Sequence, residues 1–196
     1  MSLDAILDHV DSDLENSIAR LMDLMRIESI STDPEYAEDC KATAEWLVDD
    51  LNSIGFDAEL RITPGHPMIM ATGGDGTTHT LFYGHYDVQP VDPLTLWGNP
   101  PFEPSLEETK NGPVIRGRGA SDDKGQLMTF IEACRAFKAV KGALPLKISI
   151  FFEGEEESGS PSLIPYMMEH AEELKADVAL ICDTGMVEKN TPSIVT

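Results

Sequence analysis

Apolar side chains recur at Ile6, Val10, Leu14, Ile18, Leu21 and Leu24, a helical repeat that predicts one amphipathic helix over residues 2–26. A second helix is expected between the start signal Asp33-Pro34 and the stop at Gly55, with Tyr36, Thr43, Leu47, Leu51 and Ile54 on its buried face. Phe56 to Ile62 and Met68 to Thr72 read as strands around the turn Pro64-Gly65-His66-Pro67. After the turn Gly73 to Gly76, His79 to Tyr83 reads as a core strand. The proline-rich stretch Gln89 to Pro104 lacks a period and is expected to be a surface loop. Val114 to Arg116 is a short extended piece, and Leu127, Met128, Ile131, Cys134 and Phe137 define a helix ending near Gly142. A strand Leu146 to Phe152, a helix from about Ser160 to Lys175 and a strand Asp177 to Cys182 follow. This alternation predicts a three-layer α/β/α fold around a central mixed, largely parallel sheet.

Three of these apolar runs end in the same kind of residue. His79 to Tyr83 leads into Gly84-His85-Tyr86-Asp87, Leu146 to Phe152 into Gly154-Glu155-Glu156-Glu157, and Asp177 to Cys182 into Asp183. In open α/β sheets, groups just past the carboxyl ends of strands converge on one crevice. Acids forced together there raise one another's pKa unless a cation neutralises them. Asp122 or Asp123 stands at the start of the helix that follows, where the helix dipole favours an ionised carboxylate.

Taken singly, each feature has a plainer reading. His85 could be a loop histidine, Asp122-Asp123 a helix cap, Glu155 to Glu157 a solvated acidic turn, and Asp183 a strand-ending residue. Their coincidence at one edge of the sheet favours a metal site. One histidine with several carboxylates suits two zinc ions about 3.5–4 Å apart, sharing a bridging acid, better than it suits calcium or magnesium.

Composition narrows the partners. Fourteen Lys and Arg against 35 Asp and Glu give a net charge of −21, which repels nucleic-acid backbones and anionic membrane surfaces. No apolar run is long enough to span a bilayer, and the acidic N-terminus lacks the basic start of a signal peptide, so a cytoplasmic protein is expected. Three cysteines, an odd number without pair spacing, read as reduced and packed. His9 and His170 are expected on helix surfaces, and His66 and His79 carry no assigned role. Arg116 and Arg118 are read as partners of nearby acids, with contact to a substrate as the alternative.

The strings GHYDVQP, GRGASDDKGQ, EGEEESGS and ICDTG, in this order and spacing, resemble those of the zinc-dependent dipeptidase and deacylase family. That family includes carnosinase-type dipeptidases, acetylornithine deacetylase, succinyl-diaminopimelate desuccinylase and glutamate carboxypeptidase. The resemblance implies that His85 binds one zinc, Asp122 bridges both, Glu157 binds the second and Asp183 completes the first. It also implies that Asp87 orients His85, that Glu156 is the general base, and that the Asp122-Asp123 peptide is cis. Cobalt or manganese would be substitutes for zinc.

Members of that family are roughly twice as long, with an inserted lid domain through which they dimerise and a late histidine ligand. Residues 1–196 therefore resemble the N-terminal part of a catalytic domain, expected to fold but to be inactive alone, with a weak second metal position and an exposed sheet edge. The expected activity of the whole protein is hydrolysis of dipeptides or similar short amides. The alternatives are an N-acyl amino acid deacylase or carboxypeptidase with the same machinery, and an acidic metal-binding or interaction domain without catalysis.

Overall fold

The computed structural model describes residues 3–110, 112–188 and 191. A five-stranded sheet is built from β1 (Asp57–Arg61), β2 (Met68–Gly73), β3 (His79–His85), β6 (Lys147–Glu153) and β7 (Val178–Ile181) in the order β1-β2-β6-β3-β7. Its β1/β2 and β2/β6 pairings are antiparallel, and β3 is parallel to both of its neighbours, β6 and β7. The sheet is therefore mixed, and its parallel half carries all three strands whose ends were expected to converge. A separate hairpin joins β4 (Ser105–Thr109) to β5 (Gly112–Arg116). β5 contains the expected extended piece, whereas β4 falls in a stretch with no alternating pattern to announce it.

Three helices and their apolar stripes cover one face, α2 (Leu14–Met25), α3 (Ala37–Ser53) and α4 (Lys124–Lys141), while α1 (Asp4–Ser12) packs on α4 and α2. Leu24 and Met25 of α2, Leu47 and Leu51 of α3, and Leu127 and Ile131 of α4 pack on Phe82, Ile148, Ile150 and Phe152 of the sheet. The other face is covered by α5 (Leu163–Glu169), where Tyr166 and Leu174 pack with Met68, Met70 and Phe151. Alternate residues of β6 thus feed opposite cores, as the two-residue period of a strand requires. The result is the expected three-layer arrangement.

Two expected helices are different in the structure. The first one divides at Asp13, whose carboxylate accepts from Asn16 and, at 2.8 Å, from Arg20, while its backbone leaves the helical region. The Asp13 N–H still bonds the His9 carbonyl and its own carbonyl accepts from Ser17, so the apolar repeat continues across the break. Residue 2, where that helix was expected to begin, lies outside the described residues. The helix expected from Ser160 to Lys175 covers only Leu163–Glu169, because the chain then turns through His170 to bring Leu174 into the second core.

Between α2 and the sheet lies a fully buried cation. The Lys124 ammonium donates to the carbonyls of Leu24 and Ile27 at 3.1 and 2.7 Å, and burial pushes its pKa down to about 7. It ties the start of α4 to the end of α2, and so fixes where Asp122 and Asp123 emerge.

Gly154 lies where β6 passes Tyr86, and a Cβ placed there would come 2.2 Å from the Tyr86 ring. Gly154→Ala is therefore expected to lower stability by about 1–3 kcal/mol through overpacking. The measurement is the urea midpoint at unchanged slope, and an unchanged midpoint would show that the ring can move aside.

Candidate metal centre

Because β3 runs parallel to β6 and β7, His85, Glu153 and the residues after Ile181 leave the sheet at the same edge. The cis peptide Asp122-Asp123 at the start of α4 meets them there. The His85 ring is fully buried between two carboxylates. Its Nδ1 faces Asp87, at 3.1 Å from the carbonyl and 3.3 Å from the carboxylate. Its Nε2 points the other way, 3.0 Å from Asp122 and 4.0 Å from each of Asp183 and Glu156. Asp87 therefore fixes the ring so that Nε2 is the nitrogen left for a ligand.

Asp87 has a further task. One of its carboxylate oxygens accepts the Glu156 N–H at 3.2 Å and the other the Glu157 N–H at 3.0 Å. The acidic turn is thus hung from the same buried carboxylate that holds the histidine. Within that turn the three glutamates diverge. Glu155 is buried and accepts the backbone N–H groups of His66 and Ser162 at 3.0 and 2.9 Å, so it is an anchor. Glu156 faces His85 Nε2. Glu157 accepts from the Gln89 amide at 2.6 Å.

The described residues contain one group of donors close enough to share an ion. His85, Asp122 and Asp183 each offer an atom within 4.8 Å of the others. Imidazole with carboxylates is a donor set that fits zinc or a similar divalent cation. Glu157 stands outside this group, on the neighbouring turn, with Asp122 among the charges that act on it.

The electrostatics reflect the crowding. Burial would push the His85 imidazolium down, but the hydrogen bond and charge of Asp87, together with Asp123 and Asp122, raise its pKa to about 10. Burial pushes Asp123 up to about 7 against the opposing hydrogen bond from the His85 N–H at 3.1 Å. Of the two acids considered for the N-terminus of α4, Asp123 is thus the one that desolvation disfavours as an anion. Burial also raises the Glu157 carboxyl, with Gln89 opposing it.

Several supports were not foreseen. Asp123, Gln89 and Glu155 each hold a backbone or a neighbouring acid, and buried Glu153 accepts from Tyr83 and Ser160 beneath the turn. Ser160 has φ +50°, in the left-handed region that non-glycine residues rarely adopt, and its bond to Glu153 helps hold it there. The only signal for these in the sequence is adjacency to the acids already singled out. His66 and His79 find structural partners in the Ser31 carbonyl and the Ser149 hydroxyl. His170 sits on the Tyr166 ring and pairs with Glu173.

The model of the peptidase family M20/M25/M40 matches residues 81–195, which include every residue of this centre. The chain belongs to that family. It is 31% identical to the Cys-Gly metallodipeptidase of Saccharomyces cerevisiae over 92% of its own length and 40% of that protein. Among solved structures, human carnosine dipeptidase 1 matches with a TM-score of 0.85 at 27% identity, over 95% of this chain and 42% of that one. A family M20 metallo-carboxypeptidase from Sulfolobus solfataricus matches with a TM-score of 0.79 at 34% identity, over 87% and 38%. The chain thus spans about two fifths of the length of these M20 relatives.

Two outcomes are expected of the metal-free chain. A histidine whose pKa rises on folding, here from 6.5 to about 10, contributes stability that is complete below pH 6.5 and is lost as pH rises through 10. The stability difference between the wild type and His85→Gln should therefore shrink over that window in urea melts with chelator present, and a constant difference would refute the coupling. With a divalent cation added, Asp87→Asn should weaken its binding by about 10- to 100-fold through loss of ring orientation. Unchanged affinity in a competitive chelator titration would show that Asp87 does not orient the ligand.

Proposed function

We propose that the protein containing this chain is a zinc-dependent peptidase that hydrolyses the amide bond of dipeptides or similar short substrates. The observation that carries this reading is the convergence of His85 Nε2, Asp122 and Asp183 on one point, with Glu156 at its edge. In this reading His85, Asp183 and Asp122 would hold one zinc ion, and Glu157 together with Asp122 would hold a second. Zinc, when bound, supplies Lewis acidity at the scissile carbonyl and at an attacking water.

The chain's own residues do the rest. Asp87 keeps Nδ1 of His85 engaged, so that the imidazole presents Nε2. Glu156 is half-buried, reaches the ligand face and is not engaged as an anchor, so it is free to take a proton from water and return it to the leaving amine. Its neighbour Glu157 is restrained by Gln89 and by the Asp87 contact to its own N–H. Adjacent glutamates can therefore perform different tasks because one carboxylate fixes both of their backbones.

The names of the relatives support a dipeptidase, and the likeness to the Sulfolobus metallo-carboxypeptidase favours a second reading in which a single residue is released from a longer peptide. A panel of dipeptides, longer peptides and N-acyl amino acids, offered to the full-length protein, separates the two. All three cysteines are free thiols, two of them buried, which supports a reducing, cytoplasmic setting. No helix among the described residues is long and apolar enough to cross a membrane.

Glu156→Gln should lower kcat by about 10²- to 10⁴-fold with zinc content unchanged. Glu157→Ala should lower zinc content together with rate. Retained hydrolysis in the first variant, or retained metal stoichiometry in the second, would remove the role assigned to that residue.

A further inference from the structure

A cavity of about 560 Å³ opens beside the metal centre and shares Asp122 with it. Its wall includes Trp97, Ile115, Ala120, Arg116 and Arg118. That volume lies within the range of about 300–1,000 Å³ usual for ligand clefts. Of the six arginines in the chain, five pair with carboxylates: Arg20 with Asp13 and Glu132, Arg26 with Asp23, Arg61 with Glu59 and Glu173, Arg116 with Glu107, and Arg135 with Asp50 and Glu132. Arg118 is the sixth. In a chain with 35 acids and 14 bases, it has no carboxylate partner among the described residues.

The expected pairing of Arg118 with an acid is therefore corrected, while that of Arg116 holds. Arg118 is nevertheless well positioned. Its guanidinium lies over the Trp97 ring, 5.3 Å from the centroid, and its Nη2 donates to the Pro90 carbonyl at 2.9 Å. Its Nε is buried without a partner among the described residues. A guanidinium already held over an aromatic ring and on a backbone carbonyl has lost much of its side-chain freedom, so binding a carboxylate there costs less further ordering. Within the cavity Arg116 and Glu107 neutralise each other, and Asp122 belongs to the metal centre. The charge left to meet a ligand is that of Arg118.

We propose that this cavity is the subsite for an acidic side chain of the peptide whose amide lies at the Asp122 centre. Arg118 pairs with the side-chain carboxylate, and Trp97 with Ile115 and Ala120 packs along its methylenes. The proposal rests on the peptidase reading for the placement of the amide, while its recognition chemistry rests on Arg118 and Trp97 alone. A substrate side chain ending in a carboxylamide fits the same space but lacks the charge, so it forgoes the charge-assisted bond.

The test is a titration of the 196-residue chain, with and without zinc, using the pairs Ala-Glu and Ala-Gln, and Glu-Ala and Gln-Ala. Trp97 fluorescence reports binding in a Trp46→Phe background. In one of the pairs the glutamyl peptide should bind about tenfold more tightly, the worth of one charge-assisted hydrogen bond. Arg118→Gln should abolish the preference. Leu96→Glu, which adds a competing carboxylate on an exposed position of the same wall, should reduce it without touching the Arg118 contacts. Near-ultraviolet circular dichroism checks that each variant is folded, and the Leu96 variant decides the matter should Arg118→Gln fail to fold. Equal affinities within both pairs, no saturable binding, or a preference that survives in the folded variants overturns the proposal. Failure of the peptidase reading shows separately, as hydrolysis or zinc content unaltered in the Glu156 and Glu157 variants, and leaves the zinc-free titration standing.

Discussion

The centre depends on one buried carboxylate. Asp87 holds Nδ1 of His85 and accepts the backbone N–H groups of Glu156 and Glu157, so it joins the end of β3 to the turn after β6. These are residues almost seventy positions apart in sequence. The strand pairing ends at His85 opposite Glu153, so it does not by itself fix the distance between the histidine ring and the acid turn that follows. A carboxylate with no exposure, whose oxygens are all engaged, does so with little latitude.

Around that hub the structure separates two kinds of acid that look alike in the sequence. Glu153, Glu155 and Asp123 are buried and bonded to backbone or hydroxyl groups, and they shape the turn and the approach of α4. Asp122, Glu156, Glu157 and Asp183 keep part of their surface exposed and face the crevice. Burial raises the pKa of Glu153 and Asp123, a direction that lessens the repulsion among the eight acids, Asp87 included, at this edge.

Much of this was legible beforehand. Strand positions and the meeting of His85 with Asp183 follow from apolar runs that end in His or Asp, since a parallel sheet brings such ends together, and Asp122 joins them from the start of a helix. What the sequence concealed was direction. Three consecutive glutamates carry no mark of which turns inward, and only the contacts of Glu155 to His66 and Ser162 reveal it. The hairpin strand β4 was equally hidden, its Leu106 being exposed and its partner short.

The ligand candidates also sit on unequal foundations. His85 belongs to β3, which has a paired strand on each side, while Asp183 follows the four-residue β7, whose residues are all exposed. Since strand side chains alternate, a slip of one residue in β7 would swing Asp183 to the opposite side of the sheet. An ion gripped by both residues would therefore act as a clasp, locking the register of the rim strand against the centre. Assembly of the coordination sphere and completion of the sheet's outer margin would then be a single cooperative event.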